Sequence, residues 1–527
     1  MKHISATALK PKLTDGGEIA FVDVREHGQY GEGHPFFSVN IPYSLFETRV
    51  EALLPCRSVR CVLFDDGDGI AEKAADLLEA LDYTDVQVLE GGVASWVAAG
   101  FTLFKGVNVP SKTFGELVEH ELGTPSISAE DLKSLLDRGE PVTILDGRSP
   151  REFGKMSLPG ARSCPNAELA YRLRRLVSDS ATPVVVNCAG RTRSIIGAQT
   201  LQEFGIPNPV YALRNGTQGW MLAGFELERG ATAQALPALS AAELAETRRQ
   251  ADRLIQDFNL ATIDEETLQT WLADSERTTY LLDVRTREEY EVAHLPAARL
   301  APGGQLVQAT DEKVAVRGAR IVLCDDTGLR AATTALWLTG MGHRVWILDR
   351  DASKGSASGP ERLHEVAQDT LALADLGVAL AGGAVLLDAS RGLDYREAHV
   401  EGARWVTRAR LDRLDLPREA DIVVTGRSRA LIAGVMKDLR AMGHRRLASV
   451  EGTPDSWQAA GLSLAGTPDS PSQEECIDHL FFVHDRHDGN FEASRRYLAW
   501  ELGLLDQLDP QERAVLSPPR AKRVEAV

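Results

Sequence analysis

A short apolar run closed by an aspartate recurs four times along the chain, and this repeat limits the possible folds more than any other feature. The copies read Ile19-Ala20-Phe21-Val22-Asp23-Val24-Arg25, Val142-Thr143-Ile144-Leu145-Asp146-Gly147-Arg148, Tyr280-Leu281-Leu282-Asp283-Val284-Arg285 and Val385-Leu386-Leu387-Asp388-Ala389-Ser390-Arg391. Successive aspartates stand 123, 137 and 105 residues apart, each the length of a small domain. A unit repeated at that spacing is a tandem array, and its copies are read together before any one of them. The 527 residues leave room for three or four domains at roughly 150 residues each.

The copies agree further on. A turn with Pro or Gly and small residues follows the aspartate: Leu158-Pro159-Gly160-Ala161, His294-Leu295-Pro296-Ala297-Ala298 and His399-Val400-Glu401-Gly402-Ala403. A second apolar run comes next, at Cys61–Phe64, Val184–Asn187, Ile321–Leu323 and Ile422–Val424, and then a loop and a segment of helical period. Three copies close on a Gly-to-Trp element ending at Trp96, Trp220 and Trp457, which the third copy lacks at Asp349-Arg350-Asp351. Short, continuously apolar strands alternating with helices indicate βαβ units around a buried parallel sheet. The expected fold is therefore α/β: four tandem doubly wound parallel-sheet domains over 1–107, 122–230, 257–350 and 370–465, then a helical C-terminal tail over 466–527. Leu239–Asp257 reads as a connecting helix, and the Ser/Gly-rich Ser353–Pro360 as a flexible linker.

The formal charge of −18 argues against nucleic acid or an anionic membrane as partner, since both reward Lys/Arg clusters. No apolar run approaches the ~18 residues of a membrane span. The six cysteines are sparse, with no Cys-x-x-Cys pair. That usage suggests free thiols in a reducing, cytoplasmic setting.

Ligands of such sheets sit at the carboxyl ends of the strands. There the second copy carries Cys188-Ala189-Gly190-Arg191-Thr192-Arg193-Ser194. A glycine turn running into a helix start presents backbone N–H groups to an anion, and the helix N-terminus adds about half a positive charge. With Arg191 and Arg193 beside it, a thiol at this point is placed to act as a thiolate nucleophile. The plainer alternative is that Cys188 is a buried core cysteine.

The Asp-x-Arg opening, the Pro-Gly-Ala turn, the Cys-x-Gly-Arg-Thr-Arg-Ser loop and the closing Gly-Trp element resemble the rhodanese family of sulfurtransferases, as four tandem modules over nearly the whole chain. The resemblance implies that Cys188 takes sulfane sulfur from a small anionic donor such as thiosulfate. It would hold that sulfur as a persulfide and pass it to cyanide or a thiol, with no cofactor and no metal. Ala189, Gly190, Arg191, Thr192 and Arg193 would form the cradle. Arg148 would bind substrate, unless it serves a salt bridge within its own module. Family sulfurtransferases carry a six-residue loop, the length from Cys188 to Arg193. The related phosphatases and arsenate reductases have one residue more, so these are the second reading, and a non-catalytic binding scaffold is the third. Where members often carry His before the Pro-Gly-Ala turn, this copy has Ser157.

The other loops depart from that pattern. In the first, Phe64 or Asp65 stands at the nucleophile position. In the fourth, Thr425 replaces it. In the third, Cys324 with Arg330 makes a possible second site, although Asp325 and Asp326 beside it disfavour a thiolate. Cys56, Cys61 and Cys164 read as structural. In the tail, His484 and His487 read as a polar helix start rather than a metal pair. The segment Tyr497–Leu502 reads as an amphipathic helix that packs on a module or on a partner in a homodimer.

Overall fold

The computed structural model describes residues 1–177, 179–361, 371–487 and 489–521, with residue 487 described by its backbone alone. The chain forms two compact units. One comprises Met1–Lys10, Ala20–Val107 and Arg362–His484; the other comprises Pro11–Ile19, Asn108–Glu361 and Asp485–Val527. The first unit thus joins the first and fourth modules, and the second joins the second and third.

Every module is built on the same parallel sheet. In the second its order is Ser126–Ile127, Val210–Leu213, Val184–Asn187, Thr143–Asp146, Arg162–Ser163. The third repeats it with Ala261–Ile263, Arg344–Leu348, Arg320–Cys324, Thr279–Asp283 and Arg299–Leu300. The first has Lys2–Ile4, Val86–Leu89, Arg60–Phe64, Ile19–Asp23 and Val39–Asn40 in those places. The fourth has Leu447–Glu451, Ile422–Gly426, Val385–Asp388 and Arg404–Trp405, with no edge strand before them among the described residues. The inner strands are mainly apolar because helices cover both faces. In the second module Ile144, Val185, Leu213 and Trp220 meet in one core cluster, which explains the closing tryptophan.

The repeated aspartate ends the strand beside the one that leads into the loop, where it is fully buried and paired. Asp146 accepts from the backbone N–H of Arg148 at 3.1 Å and from its guanidinium at 2.9 and 2.7 Å, and Arg148 also donates to the carbonyl of Met156 at 2.6 Å. Asp23 with Arg25 and Asp283 with Arg285 repeat the arrangement. In the fourth module the Ser390 N–H takes the place of the arginine, at 2.8 Å from Asp388. Removing one partner of such a pair leaves a buried charge unmatched, at a cost of about 3–5 kcal/mol.

Within the second unit the two modules contact each other reciprocally. Arg193 and Arg330 stand at the same place in their modules, each 47 residues after the repeated aspartate, and Glu168 and Gln305 are likewise equivalent, each 22 residues after it. Arg193 donates to Gln305 at 3.1 Å, and Arg330 to Glu168 at 2.9 Å. In the first unit the equivalent residues Tyr43 and Arg408 meet directly, with the Arg408 guanidinium 4.2 Å from the Tyr43 ring centre.

The connecting helix is present as Ala241–Phe258. The Ser/Gly-rich linker expectation fails. Ala357 pairs with His294 through hydrogen bonds of 2.8 and 3.1 Å, the bridge that Phe104 makes with His34 and Glu228 with Ser157. Its small residues serve close packing, since a Cβ on Gly355 would lie 1.9 Å from the His294 carbonyl oxygen. The tail is helical only in part, at Phe481–His484, Phe491–Leu502 and Pro510–Arg513, and it divides between the two units. The His484–Asp488 stretch lies partly outside the described residues, which hold no cluster fit for a metal. Among the described residues no helix is long and apolar enough to cross a membrane.

Candidate active site

The strand Val184–Asn187 ends directly before Cys188, and the helix Thr192–Glu203 begins four residues later. Cys188 is 2% exposed, with its Sγ 3.5 Å from the Ser194 hydroxyl, which itself donates to the Arg191 carbonyl at 2.7 Å. Its carbonyl accepts from the N–H of Thr217 at 2.8 Å, and that of Ala189 from the N–H of Gln218 at 3.2 Å. This clasp needs glycine at 216, where φ is +54° and a Cβ would lie 2.2 Å from the Cys188 carbonyl oxygen.

The residues expected around the loop are brought together, but both arginines are already engaged. Arg191 donates to Glu116 at 2.6 and 2.8 Å, to Glu119, and to Asn215 at 3.3 Å. Arg193 donates twice to Glu152, at 2.8 and 2.7 Å. Burial works to raise the Glu152 carboxyl, but the charge and hydrogen bonds of Arg193 outweigh it and hold the group below the usual carboxylate range. Burial pushes the Glu116 carboxyl up to about 7 against the pull of Arg191, and the charges of Glu501 and Glu119 add to the rise. Arg148 is turned to Asp146 and Met156, the salt-bridge alternative considered above. Thr192 donates to Glu501 at 2.9 Å, and Gly190 lies under Glu501, Gln218 and Tyr497. Tyr497 and Glu501 belong to the helix Phe491–Leu502, so the C-terminal segment packs on this loop.

Strand register corrects the matching of the other loops. The repeated aspartates pair with residues at or next to the end of the neighbouring strand: Asp146 with Asn187, Asp283 with Cys324, and Asp388 with Thr425. In the first module the corresponding contact is the N–H of Val24 on the carbonyl of Phe64, at 3.1 Å. The counterparts of Cys188 are therefore Asp65, Asp325 and Gly426, each one residue after the position that meets the aspartate strand. Cys324 takes the place of Asn187, and Thr425 does the same. Cys324 is fully buried, and burial with the charge of Asp283 pushes its thiol well above the usual range. Arg330 is also fully buried and is taken up by Glu168, Glu289 and Asp326. The slip has a simple origin: an apolar run carries no internal mark of where pairing ends.

Asp65 and Asp325 turn their carboxylates back onto their own loops. Asp65 accepts from the N–H groups of Gly67 and Ala71 at 2.8 and 2.9 Å. Asp325 accepts from those of Thr327, Arg330 and Ala331 at 3.2, 2.8 and 3.3 Å, and from that of Gly328. The matching N–H groups of Gly190, Arg193 and Ser194 meet no protein acceptor among the described residues.

Sequence reading missed Glu116, Glu119, Glu152 and Glu501. Only Glu152 left a local sign, the capping box that it forms with Ser149.

Known proteins share this fold. The family model of the rhodanese-like domain matches residues 5–99, 128–223 and 264–357. A crystal structure of a thiosulfate sulfurtransferase from Pseudomonas aeruginosa is similar over 99% of both chains, with a TM-score of 0.90 and 39% identity. Two curated relatives match in part. They are the HTH-type transcriptional regulator Rv0324 of Mycobacterium tuberculosis, 30% identical over 18% of this chain and 42% of its own, and the uncharacterized protein YqhL of Bacillus subtilis, 34% identical over 15% of this chain and 59% of its own. The chain thus spans about half the length of the curated relatives that it matches. With the family model matching more than half of its residues, the chain belongs to the rhodanese-like domain family.

Proposed function

We propose that the chain is a sulfurtransferase that works through a persulfide on Cys188, taking sulfane sulfur from thiosulfate or a similar donor. The Cys188 thiolate attacks the outer sulfur, an S–S bond forms, and sulfite leaves with the electron pair of the broken bond. Cyanide or a thiolate then attacks the outer sulfur of the persulfide and regenerates the thiolate. Neither step draws on a metal or an organic cofactor.

One observation carries the reading. The turn whose amides bond a carboxylate in the first and third modules holds a cysteine in the second, where the equivalent amides face no protein acceptor among the described residues. Such amides stabilise a persulfide anion or a bound oxyanion. The 39% identical relative, which is similar over its full length, is a thiosulfate sulfurtransferase by name and supports the same reading.

The test is mass spectrometry of the full chain after incubation with thiosulfate, beside Cys188→Ser. A gain of one sulfur on the Cys188 peptide, absent from the variant, is the expected result. Transfer to cyanide that is undiminished in the variant overturns the proposal. Turnover of a phosphotyrosine analogue without any sulfur uptake would favour the phosphatase reading instead.

A further inference from the structure

We infer that Glu501 is a specificity-determining residue of the Cys188 site, and that its carboxylate selects sulfane donors of low negative charge, such as thiosulfonates or organic persulfides, over dianions. The inference rests on Cys188 as sulfur carrier. Glu501 lies outside every segment that the family model matches, so it is a feature of this chain rather than of the shared domain.

Glu501 is 2% exposed. Its Oε1 accepts from the Thr192 hydroxyl at 2.9 Å, while Oε2 is buried and meets no donor among the described residues. A Cβ on Gly190 would lie 3.1 Å from that Oε2 and 3.2 Å from the Gln218 amide nitrogen. An unmatched carboxylate oxygen therefore sits against the turn whose amides are proposed to hold the donor. A buried carboxylate without full pairing is costly to maintain, so one retained here points to a use beyond packing.

The arginines of the loop form their ion pairs with other carboxylates. Arg191 is held by Glu116 and Glu119, and Arg193 by Glu152. Two further cations, Lys112 and Arg486, lie over the Tyr497 ring, at 5.4 and 3.6 Å from its centre. The Glu501 charge also reaches its neighbours, since it helps to raise the Glu116 carboxyl and the Arg191 guanidinium. A donor arriving at the Gly190 amide meets that charge in surroundings where water screens little. Each negative charge on the donor adds to the repulsion.

The experiment compares thiosulfate, a dianion, with benzenethiosulfonate, a monoanion that delivers the same sulfane sulfur, in wild type, Glu501→Gln and Thr192→Val. Glutamine keeps an oxygen for Thr192 and removes only the charge. The expected result is that Glu501→Gln lowers KM for thiosulfate about tenfold more than KM for benzenethiosulfonate. Thr192→Val, which breaks the hydrogen bond and keeps the charge, leaves the ratio of the two KM values near that of wild type. An unchanged ratio in Glu501→Gln, with Cys188 still gaining sulfur, overturns this inference and leaves the sulfurtransferase reading standing. A ratio shifted equally by both variants also overturns it, because packing and not charge would then be the cause. No sulfur on Cys188 from either donor in wild type overturns both.

Discussion

Asp325 fills, with its own carboxylate, the ring of amides that the same turn presents to Cys188 one module earlier. Its Oδ2 takes the N–H of Arg330 at 2.8 Å, the residue equivalent to Arg193. The degenerate loops of the first and third modules are thus satisfied internally, and they explain by contrast what the second is shaped to hold. Cys188→Asp is expected to mimic them: it should fold, unfold no lower than wild type in a thermal scan, and gain no sulfur from thiosulfate. A midpoint well below wild type would show that the turn at Cys188 differs from its counterparts.

Gly216→Ala tests the clasp behind the nucleophile. The added Cβ would lie 2.2 Å from the Cys188 carbonyl oxygen, so the loop must shift. A loss of about 1–3 kcal/mol in denaturant unfolding is expected, together with a fall in kcat for thiosulfate-to-cyanide transfer. Unchanged kcat would separate this contact from the chemistry.

Arg330→Ala tests the pairing of the second and third modules. The guanidinium is fully buried, 2.9 Å from Glu168, 2.8 Å from Asp326 and 4.1 Å from the centre of the Tyr171 ring. Its loss leaves buried carboxylates unmatched, and a destabilisation of about 3–5 kcal/mol is expected from denaturant unfolding. A loss within ±0.5 kcal/mol of zero would mean that solvent reaches those carboxylates.

Acid sensitivity of the first unit follows from Glu47. Burial works to raise its carboxyl, but hydrogen bonds and charge from Arg408 bring it down to about 2 from 4.5. A depressed carboxylate contributes stability that is present above about 4.5 and lost as pH falls through about 2. Glu47→Gln should therefore lower the unfolding midpoint at pH 7, and the gap from wild type should close as pH falls from about 5 towards 2. A gap constant over that window would contradict the assignment.

The four repeated aspartates and the apolar runs around them determined that each module is built on a buried parallel sheet, because a strand buried on both faces can be written only with apolar residues. The loop at Cys188 was legible for the same local reason: a strand end, a glycine turn and a helix start are contiguous in the chain. The exact counterpart of Cys188 in the other modules was not. Cys324 and Asp325 differ by one place in a pairing register that only the neighbouring strand sets. Tertiary structure alone decided that the first module pairs with the fourth and the second with the third. It alone brought Glu116, Glu119 and Glu501 to the loop, the last from more than 300 residues away. Contacts of that kind depend on burial and charge between distant segments, and nothing in the local spacing of residues records them.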